Sequence, residues 1–197
     1  MSPRGEGRRE QILDAALDLF AQDGYHQTGV ADIAARLGMS HGTFYRYFAS
    51  KRDILDHVVD EAQRRIVQAV SAQRPPDAAK TLEDYRSQVR RIAFALVEVV
   101  DRDPRLARLL LFEATGVDDA LTGRIFEILD ELRMLTASYL EHGVQQGFLR
   151  ESLDTPHTAR ALNGIAYAGA LAAVRGDANA PQYVDAALAL IFDGIAA

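Results

Sequence analysis

The chain has 197 residues, of which 48% are hydrophobic and 25% charged, and its formal net charge is −6. That length allows one or two compact units, and the composition excludes a disordered or collagen-like chain. The absence of cysteine excludes disulfides, thiolate metal sites and cysteine nucleophiles.

Nearly the whole chain has the sequence pattern of α-helices. Apolar residues recur at i, i+3, i+4 and i+7, which places them on one face of a helix. This periodicity predicts helices over 9–21, 30–37, 41–48, 51–73, 82–100, 106–112, 121–143, 156–174 and 182–195. No segment alternates with period two for long enough to predict a strand, so we expect an all-α fold.

The second and third predicted helices have the helix-turn-helix format, because only Leu37-Gly38-Met39-Ser40 separates them. Gly38 allows the positive φ of a tight turn, and Ser40 stands where an N-cap belongs. In this format the second helix places its first residues in a DNA major groove. Short helical hairpins are common in all-helical proteins, so the format by itself leaves DNA binding open.

The next eight residues favour DNA binding. Phe44 and Phe48 lie one helical turn apart and should anchor in a core, so at least one of Tyr45 and Tyr47 must be partly exposed. A phenol is a neutral hydrogen-bond donor to phosphate. Lys51 stands at a helix start, where the helix dipole disfavours a cation, and a bound phosphate would remove that conflict.

The charge is unevenly distributed along the chain. Residues 1–75 carry ten basic and ten acidic side chains, whereas residues 76–197 carry twelve and eighteen. A local run of four cations has no acid within it: Arg36, Arg46, Lys51 and Arg52. Such a run is either a solvated surface or a phosphate-facing patch on an otherwise acidic body.

Residues from Arg9 to Leu55 closely resemble the DNA-binding domain of the TetR family of bacterial transcriptional regulators. The matching stretches are Ile12-Leu13-Asp14-Ala15-Ala16, Leu19-Phe20, Gly24-Tyr25, Thr28, Val30, Asp32-Ile33-Ala34, Gly38-Met39-Ser40, Gly42-Thr43-Phe44-Tyr45-Arg46-Tyr47-Phe48 and Ser50-Lys51. They lie at the family's spacing without gaps. The rest of the chain resembles the family only in its length and its helical pattern.

The resemblance implies a helix-turn-helix DNA-binding domain over 1–55, with a connecting helix over 51–73, and an effector-binding and dimerisation domain over 56–197. The implied function is a ligand-responsive repressor, whose effector moves the connecting helix and changes the spacing of two DNA-reading heads. The implied DNA-contacting residues are Thr28, Ser40, His41, Gly42, Thr43, Tyr45, Tyr47 and Lys51. Gly29 departs from the pattern, because Ser or Thr is common there.

A single short helix reads only a few base pairs, so a near-palindromic operator and a two-fold dimer are expected. Small and apolar residues on the last two helices suit the dimer interface: Gly164, Tyr167, Ala170, Leu171, Ala187, Leu190 and Ile191. Alternatively, these stripes complete the core of one protomer. The family resemblance favours a four-helix dimer bundle.

The middle helices are expected to enclose an apolar pocket for a small effector of unknown identity. Candidate lining residues are Phe94, Phe112, Phe126, Met134, Asn163 and Tyr167. For each of them taken singly, packing in the protein core is the simpler interpretation.

Two other classes of function are alternatives for an all-helical chain of this kind. A helical protein-interaction module without DNA binding is the first alternative, and the retained DNA-contact residues oppose it. An enzyme is the second, but there is no phosphate-binding glycine loop, no nucleophile elbow and no metal-ligand spacing among the five histidines. No cofactor is expected. No stretch approaches the roughly 18 apolar residues of a membrane span, and no signal-peptide core is evident, so we expect a cytoplasmic location without membrane partners.

Overall fold

The computed structural model describes residues 3–177 and 179–195, and within them the chain is all-α. The helices are α1 (Pro3–Asp23), α2 (Val30–Arg36), α3 (His41–Phe44), α4 (Lys51–Ser71), α5 (Leu82–Arg102), α6 (Pro104–Arg108), α7 (Asp119–Gln145), α8 (Thr155–Val174) and α9 (Ala180–Ile195). The expected all-α fold is therefore confirmed. No helix of this described part carries an apolar stretch long enough to cross a bilayer.

Three segments differ from the predicted helices. The first is α1, which begins at Pro3, six residues before the predicted start at residue 9. The prediction of one helix over 41–48 is wrong, because α3 ends at Phe44 and the next residues form a turn in which the Tyr47 N–H donates to Phe44 O at 2.9 Å. The prediction of one helix over 106–112 is also wrong. There, α6 is followed by a π-helical turn, Leu109–Glu113, and a 3₁₀ turn, Ala114–Gly116.

The chain forms two compact units, and each contains segments that are distant in sequence. The first comprises Met1–Arg64 and Arg105–Ile125, and the second comprises Arg65–Pro104 and Phe126–Ala197. The boundary predicted between residues 55 and 56 concerns which residues read DNA and which bind the effector, and it stays a prediction.

The first unit has a small apolar core to which α1, α2, α3 and α4 all contribute. Its fully buried side chains include Ile12, Phe20, Ile33, Phe44, Phe48, Ile54 and Leu55. These are the positions that the helical periodicity placed on the inner faces. Burying side chains of this size stabilises a fold by about 1.5–3 kcal/mol each, so the core holds even a four-residue helix in place.

The second unit is centred on Tyr85, whose ring lies 5.8 Å from that of Phe148 and 6.2 Å from that of Phe192. The Tyr85 hydroxyl donates to Tyr139 O at 3.1 Å. Burial raises the pKa of the Tyr85 phenol above its usual range. The phenol is therefore a neutral structural group of the core.

Three side chains of this unit hold the segment between α4 and α5 through its backbone carbonyls. Gln88 Nε2 donates to Arg74 O at 2.8 Å and to Pro75 O at 2.7 Å, and the Tyr139 hydroxyl donates to Arg74 O at 2.9 Å. His142 Nε2 lies 3.2 Å from Ala79 O. These bonds supply partners for backbone carbonyls of the connecting segment, which lies outside both helices.

The surroundings of Gly143 show how tightly the core around Tyr85 is packed. A Cβ at this position would lie 2.7 Å from Leu149 Cδ1 and 3.0 Å from Tyr85 Cζ, whereas a Cβ at Gly123, on the same helix, would meet nothing within 4 Å. We expect Gly143→Ala to destabilise the protein by about 1–3 kcal/mol through overpacking. Gly123→Ala should stabilise it by about 0.5–1 kcal/mol, because alanine favours a helix interior. Thermal unfolding followed by circular dichroism measures both, and equal shifts in the two variants would contradict the packing described here.

Candidate nucleic-acid interface

Two phenylalanines fix the orientation of α3. Phe44 and Phe48 are buried, with ring centroids 6.1 Å apart. Phe48 also packs edge-on against His57 of α4 at 5.5 Å, and the guanidinium of Arg9 lies 4.7 Å from its ring centroid. With one face of the short helix fixed in this way, the opposite face points away from the core.

The turn that precedes α3 has the geometry that the sequence predicts. Gly38 has a φ of +60°, a conformation that L side chains rarely adopt. Ser40 caps α3, since its Oγ accepts from the Thr43 N–H at 3.2 Å and lies 3.0 Å from Thr43 Oγ1. The Ser40 cap therefore fixes the start of α3 and the orientation of its first backbone N–H groups.

The outward face of α3 and the turn after it carry most of the predicted DNA-contacting side chains. His41 and Gly42 are exposed, Thr43 and Tyr47 are half-buried, and Tyr45 is 55% exposed. Tyr45 packs edge-on against Phe44 at 5.5 Å. Within the described part of the chain, neither the Tyr45 hydroxyl nor the Tyr47 hydroxyl has a hydrogen-bond partner, so both can donate to a ligand.

Lys51 contacts the loop between α1 and α2. Its Nζ donates to Tyr25 O at 2.8 Å and to Thr28 O at 2.9 Å, with His26 O at 3.5 Å. The same ammonium lies 4.3 Å from the centroid of the Tyr25 ring. The loop carbonyls thus offset the unfavourable position of a cation at a helix start. A phosphate contact by Lys51 stays a prediction.

Thr28 and Gly29 complete this loop. Thr28 is buried, and its hydroxyl donates to Gly24 O at 2.9 Å, so its internal role is defined while its predicted phosphate contact is untested. Gly29 caps α2 without a side chain, but the Asp32 carboxylate accepts from the Gly29 N–H at 2.7 Å. The hydroxyl that Gly29 lacks is therefore not needed to hold the start of α2.

The segment Arg105–Ile125, which belongs to the same compact unit, also contacts the loop between α1 and α2. Glu113 Oε2 accepts from the Tyr25 N–H at 3.0 Å, and His26 Nε2 lies 3.4 Å from Gly116 O. Nothing in the sequence indicates that this carboxylate accepts a hydrogen bond from a backbone N–H 88 positions away.

Ion pairs add to this attachment. Arg52 Nε donates to Asp118 Oδ2 at 2.5 Å, and Arg105 bridges Asp14 at 2.9 Å and Asp18 at 2.5 Å. The bond from Arg52, followed by the N–H of Leu121, lowers the pKa of the Asp118 carboxyl to about 2. Asp118 is therefore ionised at neutral pH, and this pair is lost only when the pH falls towards that value.

The predicted dimer residues lie on α8 and α9. Leu190 is 68% exposed and Tyr167 is 47% exposed. Gly164 is exposed as well, whereas Ala170, Leu171, Ala187 and Ile191 are half-buried. The structure leaves these faces open in the single chain, and their role as an interface stays a prediction.

The predicted effector-pocket residues do not form a closed core. Phe112 is 50%, Phe126 58% and Met134 57% exposed. Phe94 is half-buried under the Arg90 guanidinium, and Asn163 accepts from the Thr136 hydroxyl at 2.9 Å. Phe112 belongs to the first compact unit and the others to the second. A shared pocket stays a prediction.

The described residues contain no group of three or more histidine, aspartate or glutamate side chains that could hold a metal ion. The structure presents a short helix held by packing, exposed hydrogen-bond donors beside it, and exposed apolar faces on other helices.

Comparison with known proteins gives this arrangement a family context. Residues 12–58 match the family model for bacterial regulatory proteins of the tetR family. The matched segment runs from α1 into α4 and contains the whole helix-turn-helix.

Two relatives extend the similarity beyond this segment. An HTH-type transcriptional regulator of Mycobacterium bovis is 32% identical over 128 residues, which are 60% of this chain and 67% of that protein. The HTH-type transcriptional repressor KstR2 of Rhodococcus jostii is 29% identical over 196 residues, which are 96% of this chain and 92% of that protein.

Two solved structures share the fold over nearly the full length. The fatty acid degradation regulator FadR of Bacillus halodurans has a TM-score of 0.80 at 25% identity, over 98% of this chain and 97% of that one. FadR of Bacillus subtilis, solved in complex with stearoyl-CoA, has a TM-score of 0.68 at 25% identity, over 94% of this chain and 98% of that one.

Replacing Lys51 tests its role in holding the loop. We expect Lys51→Met to lower the stability of the DNA-free protein by about 1–3 kcal/mol, because the carbonyls of Tyr25 and Thr28 lose a charged donor. The matched control is Arg46→Met, which removes an exposed cation without a partner in the described part of the chain. Thermal unfolding without DNA measures the difference, and an unchanged melting temperature for Lys51→Met would show that the contact does not stabilise the loop.

Proposed function

Since the chain belongs to the TetR family of bacterial regulatory proteins, we propose that it is a homodimeric repressor that a small apolar effector releases from a near-palindromic operator. As a member of that family it is a DNA-binding transcriptional regulator. The proposal adds which residues carry each role, and to which chemical class the effector belongs.

The observation that carries the proposal is the orientation of α3. Phe44 fixes its inner face. His41 and Gly42, which directly follow the N-cap Ser40, are exposed on its outer face. Side chains that enter the major groove read sequence through base edges. We assign Ser40, His41, Gly42 and Thr43 to the groove.

Contacts to the DNA backbone are assigned to a second set of residues: Thr28, Tyr45, Tyr47 and Lys51. Phosphate contacts fix the orientation of a protein on DNA without reading its sequence. Tyr45 carries the strongest argument in this set, because its phenol is exposed and has no partner in the part of the chain that the structure describes.

The dimer interface is assigned to the open faces of α8 and α9. Exposed Tyr167 and Leu190 would be covered by a second copy of the chain, and the small side chains beside them allow helices to approach closely. A two-fold dimer is also what a palindromic operator requires.

For the effector we propose an acyl-coenzyme A. FadR of Bacillus subtilis, which shares this fold and 25% of the sequence, was solved with stearoyl-CoA. Exposed Phe126 and Met134 of α7 supply apolar surface of the kind that an acyl chain contacts. The effector must bind the DNA-free arrangement of the dimer more tightly than the DNA-bound one, because otherwise it shifts nothing.

The proposal includes no catalytic residue and no cofactor. The relatives are transcriptional regulators, and the described residues hold no metal-ligand cluster. A regulator that acts on bacterial DNA works in the cytoplasm, which is where we place it.

Substitutions at two adjacent residues distinguish a neutral contact with the DNA backbone from a charged one. We expect Tyr45→Phe to weaken binding to all sequences alike by about tenfold, with the same salt dependence, because a neutral donor is lost. Arg46 is exposed and belongs to the cationic run that suits a phosphate-facing patch, so we add it to the backbone contacts. Arg46→Gln should then reduce the slope of log K against log salt by about 2 per dimer, since two phosphate charges are no longer neutralised. Fluorescence anisotropy across a salt series measures both. An altered preferred sequence in Tyr45→Phe would refute its assignment to the backbone.

His41 tests the assignment to the groove. We expect His41→Ala to change the preferred bases at one symmetric pair of positions, because an exposed side chain at the start of α3 reaches base edges. Selection from a randomised duplex pool by the wild type and the variant measures this. Identical motifs from both proteins would mean that His41 contacts only backbone or water.

The effector class is tested by release from DNA. We expect stearoyl-CoA at micromolar concentration to weaken operator binding at least tenfold, a coupling of about 1.4 kcal/mol or more, and free coenzyme A to have no such effect. Met134→Gln should reduce the response, and Leu129→Gln, at another exposed position of α7, is the matched control. If neither ligand releases the protein from the operator, acyl-coenzyme A is not the effector. The proposal that the protein binds DNA would be unaffected by that result.

A further inference from the structure

An arginine, a phenylalanine and a histidine meet where α1 packs against α4. The Arg9 guanidinium lies 4.7 Å from the centroid of the buried Phe48 ring, and it donates a hydrogen bond to His57 Nε2. The His57 ring in turn packs edge-on against Phe48 at 5.5 Å. Three elements are joined at this point: α1, the segment between α3 and α4, and α4 itself.

The partners of His57 define its protonation state in this arrangement. Its Nδ1 lies 2.7 Å from Asp53 O, and a carbonyl oxygen can only accept, so Nδ1 carries a proton. The Arg9 guanidinium can only donate, so the Nε2 atom that it meets is the nitrogen without a proton. The imidazole is therefore neutral as long as Arg9 is bound to it.

Charged groups on two elements favour opposite charge states of the His57 ring. Arg9 of α1 repels an imidazolium, whereas Asp53 Oδ1, on α4, lies 3.4 Å from His57 Nδ1 and attracts one. Phe48 is neutral, and Glu61, one turn further along α4, is engaged by an arginine of the same helix. A proton on Nε2 thus leaves His57 with Asp53 as its partner and removes the acceptor that holds Arg9.

This contact bears on α3 because Phe48 is one of the two rings that orient the helix. Its ring centroid lies 6.1 Å from that of Phe44, on the inner face of α3. The residue before Arg9 contacts the other side of the helix-turn-helix, since Arg8 donates to Leu37 O at 3.3 Å. The beginning of α1 therefore contacts the chain both before and after α3.

We propose that Arg9 and His57 are a pH-sensitive positioning pair for α3: neutral His57 holds Arg9 on Phe48, and protonation of His57 releases Arg9 and weakens operator binding. The inference rests on the proposed function, because it takes α3 as the helix that reads the operator. His57 is half-buried, so solvent protons can reach it. Histidine suits this role because its charge changes between about pH 8 and pH 5.

The direction of the effect separates His57 from the exposed histidines of the same compact unit. His26 and His41 are exposed, and protonation of a histidine beside DNA adds a cation and strengthens binding. Protonation of His57 acts in the opposite direction, because it removes a contact that orients α3. A comparison of variants at the same pH cancels the contributions of His26 and His41, which all variants share.

Operator binding at about pH 8 and about pH 5.5, measured by fluorescence anisotropy at one salt concentration, tests the proposal. Between these pH values we expect the affinity of the wild type to fall about tenfold more than that of His57→Gln, because the glutamine amide oxygen accepts from Arg9 at both. Arg9→Met should bind about tenfold more weakly than the wild type at the higher pH. The two should differ by less than about threefold at the lower pH, where the wild type has lost the same contact.

Arg8→Met is the matched control. It removes the neighbouring arginine of α1, whose partners are Gln11 and Leu37 O, so it should keep the pH dependence of the wild type. Melting temperatures of every variant at both pH values show that each is folded at the temperature of the assay.

A salt series at the higher pH separates positioning from a direct phosphate contact. We expect the same slope of log K against log salt in the wild type and in Arg9→Met. A slope smaller by about 2 per dimer in Arg9→Met would show that Arg9 neutralises phosphate, and it would overturn the proposal.

The pH series itself has two contrary outcomes. Equal pH dependence in the wild type, His57→Gln and Arg9→Met would overturn this inference alone. A wild type that binds no operator even at the higher pH would overturn the proposed function and this inference together.

Discussion

The burial of Phe44 and Phe48 is the interaction on which the position of α3, and with it the proposed DNA-reading surface, depends. A helix of four residues has no stability of its own, because nucleating a helix is unfavourable and so short a segment makes few internal hydrogen bonds. Its position must come from packing, and the two rings supply that packing between α1 and α4. Because the inner face cannot rotate, His41 and Tyr45 on the outer side keep fixed positions. The orientation of the proposed reading surface thus follows from two apolar side chains that are themselves buried.

A second constraint holds the loop before α2, and it is polar. The Lys51 ammonium donates hydrogen bonds to the carbonyls of Tyr25 and Thr28, and the Glu113 carboxylate accepts one from the Tyr25 N–H. A residue from the start of α4 and one from the π-helical turn therefore satisfy donors and acceptors of the same loop. Such a turn places side chains out of ordinary helical register, and here the last of its residues is the one that contacts the loop. This is why the first compact unit includes a segment far along the chain.

The sequence predicted the features that depend on local order. Helical periodicity located the helices, and Gly38 and Ser40 marked the turn and the cap that the structure contains. Two predictions were wrong because the spacing of apolar residues does not distinguish an α-helix from a turn or a π-helical turn. In the structure, α3 stops at Phe44, and the stretch after α6 winds as a π-helical turn. The partners of Lys51 are backbone carbonyls, which every residue has, so no residue type in the sequence could indicate them.

The measurement that tests the central claim most directly is selection of fragmented genomic DNA on the purified protein, followed by sequencing. The account predicts enrichment of one near-palindromic motif, because two fixed copies of α3 must read related half-sites. The selection should be run at moderate salt on protein refolded free of bound ligand, so that an effector carried through purification cannot mask binding. No enriched motif under those conditions would contradict the claim that the surface formed by α3 reads DNA.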